Sequence, residues 1–250
     1  DFKIAVDQFE MEIENAVVST GSQNALNQCY INGNQSFCDL VSRAFGGDVL
    51  SVETSNINST SMDLYEGTDY SINMNFEDLP MVGGSLEVDI IGTHFDQYVA
   101  VDATGISDDR VGKCYNFGDN CFNRDRTNLT LRWYKEDWTV SMTTRFLSEI
   151  PLDESVTSYW EGEPYGELPA GTLDEIYNIY SIDDYSISYL NINYSASDSI
   201  SLSLAISNLF DKEPPYYKDL FGFVDPQINT PQNTYDIIGR YYTVGFKLTL

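Results

Sequence analysis

The sequence predicts an all-β chain of eight antiparallel strands, forming either a transmembrane up-and-down β-barrel or a soluble β-sandwich. Three observations lead there. Apolar and polar residues alternate along several stretches, the period-two signature of a strand with two different faces. The chain is rich in residues that suit a pleated surface, with 18 Tyr and 13 Phe beside many Ile, Val and Thr. Short and long connections take turns along the chain, as they do where one end of a barrel carries tight turns and the other carries loops.

The strands are expected near residues 2–17, 49–76, 84–98, 127–135, 138–148, 183–195, 199–208 and 239–250. In the second, Met62, Leu64, Tyr70, Ile72, Met74 and Phe76 oppose Asp63, Tyr65, Asp69, Ser71, Asn73 and Asn75. In the fifth, Trp138, Val140, Met142 and Phe146 oppose Thr139, Ser141, Thr143 and Arg145. The seventh sets Ile200, Leu202, Leu204 and Ile206 against Ser201, Ser203, Ala205 and Ser207, and the last sets Tyr242, Val244, Phe246, Leu248 and Leu250 against a smaller, more polar series. The pattern changes phase near Asp7–Gln8 and at Tyr189–Leu190, where a β-bulge would move side chains to the other face. Helical periodicity is confined to Ser22–Cys29 and Leu173–Tyr177.

Connections two, four and six are short, near Glu77–Gly83, Glu136–Asp137 and Ala196–Asp198. The other four run to about thirty residues each, past the roughly 12–15 at which unstructured loops become uncommon in a compact soluble domain. Alternation alone does not separate lipid from a soluble core, because a sandwich has the same period. No apolar run reaches the roughly 18–20 residues of a spanning helix, which leaves open strands that cross with about 9–11 alternating residues.

Composition excludes some partners. With 39 acidic against 13 basic residues, a formal net charge of −26, there is no basic face for nucleic acid. The acidic pairs Asp108–Asp109, Asp174–Glu175 and Asp183–Asp184 fit solvated loops, or divalent bridging to lipopolysaccharide phosphates, better than a calcium loop, since no D-x-D-x-D-G spacing occurs. The single His94 is given a structural role, and no nucleophile elbow, phosphate loop or H-E-x-x-H is present. No catalytic residue, resident metal or cofactor is assigned; a glycosidase carboxylate pair is a third reading.

Two segments carry a family resemblance. Asn208-Leu209-Phe210-Asp211-Lys212-Glu213-Pro214-Pro215 closes one alternating strand, and Tyr235-Asp236-Ile237-Ile238-Gly239-Arg240-Tyr241-Tyr242 opens the last. The pair resembles the C-terminal signature of TonB-dependent outer-membrane receptors, an "NLFD-x-x-PP" segment followed by "YD-x-x-GR-x-Y". Asn56 to Asp69, with Glu66-Gly67-Thr68-Asp69, more loosely resembles an upstream strand of that family. The residue types have their own logic. Asn208 and Asp211 suit capping of turning backbone, and Pro214 and Pro215 offer no N–H to a ladder. Gly239 permits close approach, and Arg240 suits a loop carboxylate. Leu209 and Phe210 complete the structural motif.

The resemblance implies that residues 1–250 are the last eight strands of a 22-stranded barrel in the outer membrane of a Gram-negative bacterium, without its N-terminal plug. The chain begins at Asp1 with no initiator Met, so a mature, processed or truncated product is expected, and the resemblance to the last eight strands implies a fragment; it ends at Leu250 where the family commonly ends in Phe. The implied activity is energised uptake of a scarce nutrient: a siderophore, cobalamin or an oligosaccharide. Implied partners are outer-membrane lipid and lipopolysaccharide, the plug and remaining strands, and the inner-membrane TonB complex. A secreted β-sandwich carbohydrate-binding module is the alternative. Loop aromatics Tyr159, Trp160 and Tyr165, with Tyr216, Tyr217 and Phe221, are the candidate ligand contacts under either reading, although they also suit loop packing or an interfacial aromatic girdle.

The four cysteines fall as Cys29/Cys38 and Cys114/Cys121, each pair within one long loop. Local disulfides are expected in an oxidising compartment, since the spacings are too long for the usual zinc pairs and only one His is available.

Overall fold

In the computed structural model, all residues are described except 15–16, 20, 54–55, 59–62, 102–106, 116–119, 152–180, 217–229, 232 and 250. The described elements, in chain order, are β1 (Phe2–Ile13), β2 (Val17–Ser19), α1 (Ser22–Tyr30), α2 (Gln35–Cys38), β3 (Val41–Arg43), β4 (Val49–Val52), β5 (Asn56–Asn58), β6 (Asp63–Phe76), β7 (Ser85–Val101), β8 (Ser107–Asp109), β9 (Lys113–Tyr115), β10 (Asn120–Phe122), β11 (Asp125–Lys135), β12 (Trp138–Leu147), β13 (Tyr185–Ser197), β14 (Ile200–Ser207) and β15 (Tyr241–Leu248).

One sheet has the order β1-β6-β7-β11-β12-β13-β14-β15, so each long strand pairs with its chain neighbours. β8 joins β7, and three two-stranded pieces, β2–β5, β3–β4 and β9–β10, lie apart. The chain divides into two compact units: residues 1–9, 66–97 and 110–250, and residues 10–65 with 98–109.

In the first unit the registers decide what each face carries. Leu86, Trp133, Val140, Ile192, Leu204 and Val244 are successive cross-strand partners from β7 to β15. One residue along, on the opposite face, the row reads Glu87, Arg132, Ser141, Asn191, Ala205 and Thr243. A sandwich would bury the first row beneath a second sheet. Among the described residues there is no second many-stranded sheet, and Val244, Phe246 and Tyr242 on β15 are 80%, 65% and 61% exposed.

The polar face is tied together by charge. Arg132 pairs with Asp89 and lies 3.3 Å from Glu87, while Asn73 donates to Asp89 at 2.6 Å. On the apolar face, Tyr70 crosses Gly92 to share a hydrogen bond of 2.6 Å with Thr127. A Cβ at Gly92 would overlap the Tyr70 ring. Thr144 and Ser188, directly opposed on that face, satisfy each other at 2.9 Å.

Several sequence expectations are corrected. The stretch 49–76 is not one strand: β4 pairs with β3 and β5 with β2, and only β6 enters the main sheet. Its middle, Glu53-Thr-Ser-Asn-Ile-Asn-Ser-Thr-Ser61, lacks the alternating apolar residues that would hold it on a two-faced sheet. The first strand likewise ends at Ile13, and the first connection is longer than expected. At Tyr189–Leu190 there is no bulge. β13 pairs with β12 residue for residue from Tyr185↔Leu147 to Tyr194↔Trp138, and the recorded shift falls between Ser195 and Ser197. The phase changes because the polar face itself turns apolar toward the long connections, where Tyr185 and Ile187 are buried. The phase change near Asp7–Gln8 falls within β1, which runs from Phe2 to Ile13; Phe9 stands edge-on to Phe95 at 6.1 Å, and Phe95 lies 4.7 Å from Phe122.

The second unit holds α1 and α2, joined by the Cys29–Cys38 disulfide, with Ala25 and Cys29 buried. Tyr65 stacks on Tyr98 at 4.3 Å.

The two faces respond differently to charge. Leu204→Arg, on the apolar face, is expected to cost about 2–4 kcal/mol for a mid-bilayer site, whereas Asn193→Arg, on the polar face, changes stability little. Denaturant titration of the lipid-refolded intact protein checks this; equal damage would count against a lipid-facing apolar side.

Candidate functional site

The long connections bring a rim of side chains together at one end of the first unit. Of the aromatic candidates, Tyr159, Trp160, Tyr165, Tyr217 and Phe221 lie outside the described residues. Tyr216 is half exposed and lines a recess of about 350 Å³ with Asp183, Asp184, Tyr185, Lys212, Pro214 and Pro215. The Lys212 ammonium sits 6.0 Å from the Tyr185 ring centroid.

The turn that builds this recess begins at Asn208, which is buried and has a left-handed φ of 51°. Its side-chain amide accepts from Lys212 N at 2.7 Å and donates to Lys212 O at 2.8 Å, closing the turn on itself. Leu209 N donates to Ser188 O at 2.7 Å, which keeps the segment alongside β13 as it leaves the sheet. Asp211 also has positive φ, 56°, and its carboxylate accepts from Arg240 N at 2.9 Å. The Arg240 guanidinium donates to Leu209 O at 3.3 Å. A Cβ at Gly239 would lie 3.3 Å from Asp211 Oδ1, tighter than usual, so a side chain there would press on the clip. Asn208, Asp211, Gly239 and Arg240 thus fasten the start of the last long connection to its end. Phe210 is left 69% exposed.

Deeper in the same rim, Cys121, Leu147, Ile150, Ile182, Tyr185, Ile187 and Tyr235 form a buried cluster. The Cys114–Cys121 disulfide closes the β9–β10 hairpin, whose Cys121 exchanges hydrogen bonds with Thr234 at 3.1 and 3.3 Å. Asn123, fully buried, donates to Ser148 O at 2.6 Å and to the Tyr235 hydroxyl at 3.2 Å. Three long connections are therefore joined through one amide. Sequence reading missed Asn123, for no spacing marks a lone Asn as buried, and it placed Tyr235 in a motif without seeing it as the cluster's centre. Tyr185 and Tyr235 meet edge-on at 5.1 Å.

His94 lies 2.6 Å from Asp125 and 3.6 Å from Asp96, an arrangement for holding strand ends rather than for nucleophilic work. Among the described residues no group of three potential ligands could hold a metal ion.

No protein-family model matches the sequence, and no curated protein matches it. Solved structures do. A mutant of the ferric enterobactin receptor from Pseudomonas aeruginosa, in complex with enterobactin, superposes over 98% of this chain with a TM-score of 0.54 at 18% identity. The siderophore receptor PirA from Acinetobacter baumannii superposes over 100% with a TM-score of 0.52 at 14% identity. The chain has a TonB-dependent-receptor-like fold. It spans about 29% and 30% of the length of these two receptors. At such identity the likeness concerns the fold. Within this receptor-like sheet, the Asn208–Arg240 clip and the Asn123–Tyr235 junction hold the described ends of the last long connection.

Burial pushes the Tyr235 phenol above its usual value near 10, with the Asn123 hydrogen bond and nearby arginines opposing the shift. A folded-state value above the unfolded one means that the cluster keeps its full stability below pH 10 and loses it as pH climbs through the raised value. Near-ultraviolet circular dichroism should therefore show alkaline loosening that Tyr235→Phe reduces. Asn123→Ala, which strips Ser148 O and the buried Tyr235 hydroxyl of their donor, is expected to cost about 1–3 kcal/mol, measured as a lower unfolding midpoint.

Proposed function

We propose that this chain is the C-terminal part of an outer-membrane TonB-dependent receptor, supplying about eight strands of a probable 22-stranded barrel. One observation carries the reading: an antiparallel run from β7 to β15 with an apolar face and a charged, hydrogen-bonded opposite face, whose three long connections leave from one end. Lipid on one side and water on the other is the environment in which such a sheet is stable. Among the described residues β1 and β15 each pair on one side only, which supports it further. Unpaired peptide groups are not tolerated in hydrocarbon, so additional strands of the intact protein would complete the ladder and the barrel.

The activity we infer is capture and energised uptake of a scarce nutrient. A ferric siderophore comes first because the similar solved structures include a ferric enterobactin receptor and a siderophore receptor; cobalamin and oligosaccharides come after it. Tyr216 and the loop aromatics Tyr159, Trp160, Tyr165, Tyr217 and Phe221 would meet ligand from the rim. The plug, the TonB complex and lipopolysaccharide are the partners this reading requires.

The test is uptake by cells that depend on the intact protein. Deleting it should abolish accumulation of radiolabelled iron supplied as one class of chelate, and Tyr216→Ala should weaken ligand binding about three- to tenfold. Unchanged uptake of iron chelates, cobalamin and oligosaccharides alike after deletion would end the proposal.

A further inference from the structure

The second unit carries a feature that nutrient uptake does not use. The β3–β4 hairpin pairs Val41 with Val52 and Ser42 with Ser51, and its tip runs from Ala44 to Asp48. Two backbone bonds fix that tip: Ala44 N to Asp48 O at 2.8 Å and Gly47 N to Ala44 O at 2.9 Å. Arg43 braces it from the side. Its guanidinium lies 4.7 Å over the Tyr30 ring, donates to the Tyr30 hydroxyl at 2.8 Å, and bonds Gly47 O. Tyr30 ends α1, which the Cys29–Cys38 disulfide pins to α2.

What this scaffold presents is apolar. Phe45 is 112% exposed, and Ile31 and Leu50 are 76% and 69% exposed. After Phe45 come Gly46 and Gly47; a Cβ on the second would meet nothing within 4 Å. A partner's backbone can therefore come close to the ring. An aromatic side chain held out on a braced turn with open surroundings has the form of an interface anchor, because the backbone beneath it is already ordered.

Charge selects the occupant. Every ionised side chain of this unit except Arg43 is a carboxylate, and Arg43 is committed to Tyr30 and Gly47. Asp48 follows the tip, and Asp39 and Glu53 stand exposed near the base of the hairpin. A second copy would bring the same sign, and so would a membrane surface of anionic lipid. We propose that the β3–β4 fingertip docks a basic polypeptide segment that seats an apolar side chain against Phe45 and ranges Lys or Arg along the surrounding carboxylates.

This inference does not rest on the uptake reading, and its test leaves that reading untouched. The intact protein in detergent would be panned against a displayed random-peptide library, with counter-selection on the Phe45→Ser variant. Because Phe45 is exposed, that variant keeps its fold, which an unchanged melting midpoint and an intact Cys29–Cys38 peptide verify. The expected survivors are rich in Lys and Arg with a bulky apolar residue. They should bind Phe45→Ser at least about tenfold more weakly, and weaken as salt rises toward the roughly 1 M at which the Debye length falls to about 3 Å. Survivors without basic bias, or none that discriminate Phe45→Ser, would overturn the proposal. Phe45-dependent dimers in sedimentation, or Phe45-dependent binding to anionic vesicles, would overturn it in favour of those occupants.

Discussion

A hydrogen-bonded ladder with two unlike faces has no tolerance for slippage. From β7 to β15 every long strand is paired on both sides or lies at an edge, and because side chains alternate, the register that satisfies the backbone also sorts the faces. A one-residue slip between β7 and β11 would move Arg132 from beside Glu87 and Asp89 to the face of Leu131 and Val88. That exchange replaces a satisfied ion cluster with an isolated charge among apolar side chains, a loss larger than any single contact in the sheet. The charged network on one face and the apolar rows on the other are therefore one constraint, and each fixes the other.

The same constraint explains why the sheet changes character at its loop end. Midway along, the polar face of β13 carries Asn191 and Asn193, but toward the long connections it carries Tyr185 and Ile187, which pack on Tyr235, Ile150 and Ile182. There the described ends of the connections, with Ile150, Ile182 and Tyr235, pack on the sheet, so apolar residues are stable on both faces over a few residues. Asn123 pairs Ser148 and Tyr235 at once, while its own Oδ1 and the Tyr185 hydroxyl are buried without a partner among the described residues. The disulfide of the β9–β10 hairpin and the Asp211–Arg240 clip hold the ends of those connections, so the order of the rim is inherited from the strands below it.

This division of labour also sets what a sequence can disclose. Strands β11 to β15 were legible because each meets two unlike environments over most of its length, and alternation records that directly. The phase change in β13 was visible but misread: Tyr185, Ile187 and Tyr189 look like a shifted register until the loop that covers them is placed. Residues 49–58 misled for the opposite reason, since β-forming residues pair as readily within a loop, with β2 and β3, as within the main sheet. Cysteine spacing disclosed both disulfides because each ring closes locally. Asn123 left no trace, because its importance comes from two partners distant in sequence, Ser148 and Tyr235. The exposed Phe45 was equally silent, as a single Phe between Ala and Gly has no periodicity to betray whether it is buried.

The chain's few cations bear on how an uptake ligand would be recognised. Arg132 is bound to Glu87 and Asp89, Arg240 to Asp211, Arg43 to Tyr30, and Arg126 lies 4.6 Å over the Phe122 ring. Long-range attraction of an anionic chelate is therefore not available from a chain of net charge −26. At physiological ionic strength, however, exposed charges are screened beyond roughly 8 Å, so a ligand that reaches the rim responds mainly to what it touches. In the recess that means the rings of Tyr185 and Tyr216, the two prolines, and the Lys212 ammonium, with Asp183 and Asp184 also in the lining. Such a surface favours a flat or aromatic ligand with localised negative charge over a diffuse polyanion, because stacking acts at contact while the carboxylates penalise any anion not seated on Lys212.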